Sequence, residues 1–295
     1  MNILVVNCGS SSLKFQLIDS ETEQVSASGN CERIGLDGKI TYKAHGDKFV
    51  TETDLPEHGI AIKKVLELLV DKERGVINSL DEIHAVGHRM VHGGEKFSSS
   101  VVITEDVIKD IESCNDLAPL HNPANILGVR ACQEAMPGVK HVAVFDTAFH
   151  QTMPAKAYLY GLPKEYYEKY GVRRYGFHGT SHSFVSKRLA ELAGLDYNNS
   201  KKCELQNSVN HRISAIKDGK SIDTSMGMTP LEGLVMGTRS GDIDPAIIEF
   251  ICQKENISVS EMTTILNKKS GVLGLSGVSN DFRDLVDARE SGNKD

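Results

Sequence analysis

The sequence predicts an α/β protein folded as two domains, and three observations carry that prediction. A strand-turn-strand unit opens the chain, helical and strand patterns alternate from about residue 60, and residues 152–174, rich in Tyr, Pro and Gly, read as an irregular connector that places a domain boundary near residue 150. A chain of 295 residues can bury most of its unfolded surface without disulfide or metal staples, in one large domain or two smaller ones.

Each element has its own signal. Residues 3–6 are a short apolar run, residues 8–12 a turn of small residues, and Leu13, Phe15 and Leu17 then alternate with polar neighbours as a half-buried strand does. Residues 60–70 carry apolar side chains at helical spacing. Asn122-Pro123 reads as an N-cap and first-turn proline for a helix over 124–136, with Gly138 as its stop. Residues 142–145 read as a buried strand that delivers Asp146 to the carboxyl edge of a sheet, where ligand sites of open α/β sheets gather. In the second half, Thr180 or Ser181 caps a helix running to about Gly194, and Ser258 with Glu261 makes a capping box for a helix that Gly271 ends. Residues 291–295 are polar, with no closing element.

Lys and Arg number 33 against 40 Asp and Glu, a formal net charge of −7. That balance excludes a general binder of nucleic acid or of anionic membranes, both of which are held by clustered cations. Any anion site is therefore local. Cys8, Cys31, Cys114, Cys132, Cys203 and Cys252 are scattered, without CxxC pairs or zinc-ligand spacing, and the chain opens on a strand-like segment, not a signal peptide, which together fit a reducing cytoplasm. No apolar run approaches the roughly 18 residues of a membrane span, and no repeat or low-complexity tract interrupts the pattern.

Four segments can carry chemistry. Asn7-Cys8-Gly9-Ser10-Ser11-Ser12-Leu13-Lys14 lies between two strands, where hydroxyls, amides and one lysine can face a phosphate; a polar hairpin turn is the alternative. It is not a P-loop, and the GKS at 219–221 has Ser214 where such a loop needs its first glycine. In HRMVHGG, 88–94, Arg89 can project from a strand end toward a carboxylate or phosphate, or be an ordinary surface arginine. His84, His88 and His92 recur every four residues, but the glycines and β-branched neighbours favour a strand, on which that spacing makes no tetrahedral metal site. Asp146 in FDTAFH and His178 in RYGFHGTSH are each weak alone, as is Arg239 in the glycine-bracketed GTRSGDIDP. Together, a hydroxyl and glycine loop, two arginines, a strand-end carboxylate and a turn histidine suit phosphoryl transfer, whose transition state needs positioning and cationic stabilisation more than covalent help.

MNILVVNCGSSSLKFQLID, GHRMVHGGEKF, LAPLHNP, FDTAFH, RRYGFHGTSH, DTSMGMTPLEGLVMGTRSGDIDP and SGVSNDFRDL, in that order over nearly the whole chain, resemble the acetate kinase (acetokinase) family. GFHGTSH and the DTSMG to GDIDP block are the most specific. The resemblance implies an α/β, actin-like (ribonuclease H-like) duplicated two-domain fold with ATP between the domains, the second domain incomplete: 1–149 with the hairpin phosphate loop and the acetate-site arginine, and 150–295 stopping before the adenosine-binding segment. It implies that Asn7 helps hold Mg²⁺ and that Lys14, with Ser10 and Ser12, faces the nucleotide phosphates. By the same resemblance Arg89 binds the acetate carboxylate, and Val91, Leu120, Phe177 and Pro230 enclose its methyl group. Asp146 is the catalytic carboxylate, orienting the substrate or accepting from it, His178 and Arg239 stabilise the transferring phosphoryl group, and Asp281, Phe282 and Arg283 lie beside the nucleotide. A homodimer in the cytoplasm is implied, with acetate and ATP as its small-molecule partners and neither nucleic acid nor membrane among them.

Two departures from the family pattern bear on activity. Where the family has a buried strand entering a His-Leu-Gly-Asn-Gly phosphate loop, residues 201–212 read KKCELQNSVNHR, with no glycine and almost no apolar run, so polar side chains replace a central strand and residues 206–210 must follow a glycine path. A frame-altered coding stretch produces such an interval, and resequencing the coding DNA tests it. The family also continues past residue 295 through the adenosine-binding segment and a second metal-binding glutamate, so weak or no nucleotide binding is expected. The leading expectation is ATP + acetate to ADP + acetyl phosphate by in-line transfer, impaired in this chain. The alternative is a non-catalytic truncated remnant retaining the N-terminal fold. A sugar kinase or actin-like ATPase is a weaker reading, because sugar hydroxyls require more polar partners than the pocket candidates offer.

Overall fold

Alternating burial along the opening hairpin builds the first sheet. In β1 (Asn2–Cys8) and β2 (Ser12–Asp19), Leu4, Val6, Leu13, Phe15 and Leu17 are buried while Lys14 and Gln16 point away. The two strands pair antiparallel with Asn7 opposite Lys14, as the sequence predicted. The computed structural model describes residues 1–119, 121–206 and 211–293, in two units, Met1–Ala148 and Phe149–Asp295.

In the first unit the chain continues through β3 (Val25–Glu32), β4 (Lys39–Ala44), β5 (Asp47–Glu52), α1 (His58–Leu69), β6 (Ile83–Met90), β7 (Val101–Val102), α2 (Glu105–Glu112), α3 (Asn122–Ala135) and β8 (Lys140–Phe145). The sheet order is β5-β4-β3-β2-β1-β6-β8-β7. Strands β1 to β5 form an antiparallel meander, whereas β1, β6 and β8 run parallel. Parallel neighbours end at one edge, so Asn7, Arg89 and Asp146 arrive there together. Ala61, Ile62, Val65, Leu66 and Leu69 form the buried stripe of α1 and join the core over β1 to β4. A second cluster, including Met90, Ile108, Ile111, Val129 and Phe145, packs under β6 and β8. Helix α3 lies close enough to β1 that a Cβ at Gly128 would stand 2.2 Å from the Cys8 sulfur, so only glycine fits there.

The second unit contains α4 (Ala155–Tyr158), α5 (Lys164–Tyr170), α6 (Gly179–Leu192), β9 (Lys201–Gln206), β10 (Arg212–Lys217), β11 (Lys220–Thr224), α7 (Ala246–Glu255), α8 (Val259–Lys268), α9 (Gly271–Ser276) and α10 (Phe282–Glu290). The three strands form an antiparallel sheet ordered β11-β10-β9.

Several local expectations change. Residues 152–174 are not wholly irregular, because α4 and α5 form there, each entered through a proline. His121, not Asn122, is the N-cap of α3. Helix α6 begins at His178, whose left-handed backbone (φ 56°, ψ 26°) makes it the N-cap in place of Thr180 or Ser181. The Ser258–Glu261 capping box is present, but α8 ends at Lys268 and Gly271 opens α9. The polar interval forms a strand after all: β9 pairs with β10 over Lys201–Gln206. Its inward residues Lys202 and Glu204 are buried, yet each has polar company, Lys202 donating to the Tyr197 carbonyl at 3.4 Å and Glu204 accepting from Gln206 at 2.5 Å. Residues 207–210, where the glycine path was expected, lie outside the described residues.

His88 and His141 meet across β6 and β8 with Nε2 and Nδ1 2.9 Å apart and rings stacked at 5.2 Å. Burial, and then the neighbouring His141, push the His88 pKa down to about 3, and burial lowers that of His141. The folded protein thus prefers neutral imidazoles while the unfolded chain protonates near pH 6.5, so stability is fullest above about 6.5 and is lost as pH falls. Urea melts are expected to show this loss between pH 6.5 and 5, where most carboxylates do not titrate, at up to about 1.4 kcal/mol per pH unit per histidine. His88→Gln should flatten that slope, and an unchanged slope would remove the pair as its source.

Candidate functional site

The parallel strands of the first unit place three polar side chains side by side. Arg89, next to the end of β6, donates from Nε and Nη2 to the two carboxylate oxygens of Asp146 at 2.9 and 2.6 Å. Asp146 follows β8 directly, and its amide donates to the Met90 carbonyl at 2.9 Å. Asn7, on β1, accepts from Arg89 Nη1 at 3.4 Å. The Asp146 side chain is 3% exposed and that of Arg89 37%, so the pair has a buried anchor and an open cation. Asp146 keeps the guanidinium protonated against the opposing effect of burial. One edge of the guanidinium is used by Asp146; on the other, Nη1 has Asn7 Oδ1 as its neighbour at 3.4 Å, in a side chain that is 37% exposed. Such an edge matches the two oxygens of a carboxylate.

Helix α3 braces this edge with two asparagines that the sequence reading did not assign to the site. Asn125 accepts from the Val91 amide at 3.1 Å and donates to the Cys8 carbonyl at 2.6 Å, joining the ends of β1 and β6. Asn122 accepts from the His92 amide at 3.1 Å and donates to the His92 carbonyl at 2.9 Å. Polar residues three apart on the inward face of an otherwise apolar helix are the signal that could have found them. Val91 is buried beside them. Leu120 lies outside the described residues.

Ser10 and Ser12 belong to the β1–β2 turn, closed by the Gly9 amide donating to the Ser12 carbonyl at 2.8 Å. Asn7 and Lys14, paired across the hairpin, open onto a pocket of about 390 Å³ whose lining mixes Ser28, Asn30, Thr41 and Lys43 with Val5 and Phe15 and includes no carboxylate. A small anion suits that lining. Asn7 supplies one neutral oxygen there, the type of ligand Mg²⁺ accepts when substrate phosphates and water complete its shell. Among the described residues no group of three or more His, Cys, Asp or Glu side chains is placed to hold a metal by itself.

In the second unit, Phe177 and His178 form the turn into α6. Phe177 is buried, and its carbonyl faces His150 Nε2 at 3.0 Å; His150 Nδ1 faces the Ser221 hydroxyl at 2.8 Å. A carbonyl only accepts, so His150 donates to it from Nε2. Arg239 is half-buried and donates from Nη1 to the Pro230 carbonyl at 3.3 Å, which ties two predicted site residues to one loop. Burial lowers its pKa, although an arginine retains its charge. Phe177 and His178 are adjacent in the chain, and the structure brings Pro230 and Arg239 into contact.

Asp281, Phe282 and Arg283 sit at the start of α10. Asp281 caps the helix, accepting from the Arg283 amide at 2.9 Å, and pairs with the Arg283 side chain, which together hold its carboxyl pKa down at about 2. Phe282 is 43% exposed and meets the His211 ring at 4.8 Å with the two planes tilted by 45°. A flat aromatic step with an exposed guanidinium beside it can receive a planar, anionic ligand.

The Acetokinase family matches residues 2–295. The chain is 66% identical over 297 residues to an acetate kinase of Lachnoclostridium phytofermentans, covering 100% of this chain and 75% of that protein. It is 65% identical to an acetate kinase of Agathobacter rectalis, covering 100% and 74%. Among solved structures, it superposes on Porphyromonas gingivalis acetate kinase with a TM-score of 0.96 at 50% identity, over 99% of this chain and 74% of that one. A propionate kinase from Francisella tularensis gives 0.92 at 44% identity, with the same coverage.

Asp146→Ala removes both acceptors of Arg89 and leaves a partly buried cation without its anchor. A loss of about 2 kcal/mol is expected in urea unfolding at pH 7, with a smaller loss for Asp146→Asn, which keeps one acceptor. Equal stability of all three proteins would mean that the fork contributes nothing.

Proposed function

The chain belongs to the acetokinase family and has its actin-like α/β fold, and from that premise we propose that it transfers the γ-phosphoryl group of ATP to acetate, giving ADP and acetyl phosphate by direct in-line displacement. The observation that carries this reading is the Arg89 fork: one edge locked on buried Asp146, the other presented at the carboxyl edge of three parallel strands. Two anions must react, and a fixed cation both holds the carboxylate and screens it from the phosphates.

Acetate is already deprotonated at neutral pH, so its attacking oxygen needs no general base. Asp146 then serves by orienting Arg89, fixing the angle at which the carboxylate oxygen is aimed. Val91, Phe177, Pro230 and Leu120 are proposed to enclose the methyl group. His178 and Arg239 are proposed to meet the charge that builds on the equatorial oxygens of the transferring phosphoryl group, and Ser10, Ser12 and Lys14 the remaining phosphates. Asp281, Phe282 and Arg283 are proposed to receive the nucleotide, through the aromatic step and the exposed guanidinium. Asn7 would be among the oxygen ligands holding Mg²⁺, which would supply neutralisation of phosphate charge. The two units are read as the two actin-like domains, 1–149 and 150–295. A cytoplasmic homodimer belongs to the same proposal, with light scattering as the test of the dimer. No helix among the described residues is long and apolar enough to cross a membrane.

A hydroxamate-trap assay with acetate, propionate and butyrate is expected to show turnover, falling as the acid lengthens; no signal with any of the three favours the non-catalytic remnant. Arg89→Ala is expected to raise the KM for acetate with little change in that for ATP. Arg239→Ala is expected to lower kcat by about 10²–10³, and a KM-only effect would reassign it to ground-state binding.

A further inference from the structure

Tyr160, Arg174 and Glu232 converge in the second unit; Arg174 and Glu232 lie inside the quoted motifs, but none of the three carries an assigned role. Glu232 lies on the loop that carries Pro230, two residues away. Its Oε1 accepts from Arg174 Nη2 at 2.7 Å, and its Oε2 accepts from the Tyr160 hydroxyl. That hydroxyl in turn accepts from the Met228 amide at 2.9 Å, so one oxygen joins the carboxylate to the loop backbone. Burial and the facing carboxylate push the Tyr160 pKa up, so the hydroxyl remains a donor at every working pH. Arg174 also donates from Nη1 to the Thr224 and Ser225 carbonyls at 2.5 and 3.3 Å, where β11 runs into the same loop. The Arg174 and Glu232 side chains are 22% and 28% exposed, enough burial for the contact to resist screening.

The loop backbone is shaped for this. A Cβ on Gly227 would lie 1.6 Å from Glu232 Oε2 and 2.4 Å from the Tyr160 hydroxyl, so glycine is what lets both groups close on the chain. The Gly227 carbonyl accepts from the amides of Tyr175 and Gly176 at 3.1 and 3.2 Å, immediately before Phe177 and His178. On the far side, Gly233 and Asp242 exchange two hydrogen bonds of 2.8 Å, and Arg239 reaches the Pro230 carbonyl. One cluster thus touches both segments that hold Phe177, His178, Pro230 and Arg239.

We propose that Tyr160, Arg174 and Glu232 form a positioning clamp that sets the acceptor-pocket wall at Pro230 and Phe177 and the aim of Arg239, and thereby the discrimination between acids differing by one methylene. The proposal rests on the reading of Pro230 and Phe177 as methyl-pocket residues. The clamp does not touch substrate; it acts through the loop. A pocket wall displaced by a fraction of an ångström alters the fit of the extra methylene more than the grip on a carboxylate held elsewhere.

Tyr160→Phe removes one donor and one acceptor and keeps the ring. Amide hydrogen exchange at Met228 is expected to quicken at least about tenfold, and the ratio of kcat/KM for acetate to that for propionate to change at least about threefold, with the KM for ATP unchanged. Tyr170→Phe, on the exposed face of α5, should leave both readouts at the parent values. If Tyr160→Phe folds poorly, Glu232→Gln, which keeps the shape and loses the charge, is measured in the same way, and Arg174→Lys should recover part of what Arg174→Ala loses. Unchanged exchange at Met228 overturns the clamp, and faster exchange with an unaltered acid ratio overturns its role in specificity. A parent protein without turnover counts against the proposed function, and the exchange arm then decides the clamp by itself.

Discussion

The bidentate contact between Arg89 and buried Asp146 is the constraint on which the first unit's chemistry depends. An arginine at a strand end in water samples many rotamers and holds a carboxylate loosely. Anchored by an acid that is 3% exposed, it presents a single edge, and the entropy of ordering it is lost at folding and not at binding. The anchor in turn needs β1, β6 and β8 to be parallel and adjacent, because only then do Asn7, Arg89 and Asp146 leave the sheet on the same edge. Sheet topology, the packing of α1 and α3 on one face, and the asparagines that bind the strand ends together are conditions of that geometry.

The second unit solves a similar problem with loops. Its candidate residues lie on a left-handed helix cap and on a long irregular segment, neither of which is rigid by secondary structure. Rigidity comes from buried polar contacts: His150 on the Phe177 carbonyl, Arg239 on the Pro230 carbonyl, and the Tyr160, Arg174 and Glu232 cluster. Such contacts are stiff only when nearly every donor and acceptor is matched. On the inward face of β9, where the sequence led to the expectation of polar side chains in place of a central strand, the matching is partial: Lys202 has acceptors and Glu204 Oε1 accepts from Gln206, while Glu204 Oε2 only faces His182 Nδ1 at 3.4 Å. At the edge of the described three-stranded sheet, a long lysine can lie over the Tyr197 ring with its ammonium at 4.8 Å while its stem stays buried.

Much of the site was legible because its residues announce themselves locally. Asp146 follows a four-residue apolar run, Arg89 precedes a Gly-Gly turn, and Ser258 and Glu261 satisfy a capping box by spacing alone. His178 as an N-cap was not legible, since no propensity favours a left-handed histidine at a helix start; the carbonyl contact of the preceding Phe177 and the turn at Gly176 impose it. Helices α4 and α5 were hidden in a tyrosine-rich stretch whose helical period is too short to register. Asn122 was read as a cap, a role its residue type favours, when its side chain is wholly buried and spans to His92.

By itself the sequence determined the hairpin, the helix and strand alternation, the local character of any anion site and the motifs that mark the family, because each is written in the spacing and type of neighbouring residues. Tertiary structure alone decided which of Arg89's edges is occupied, which asparagines brace the strand ends, and that Tyr160, Arg174 and Glu232 meet at all. The hydrogen bonds concerned join residues from 30 to 117 positions apart in the chain, and no local preference encodes a partner at that distance; it is set by where the backbone returns after the sheet and its helices have packed.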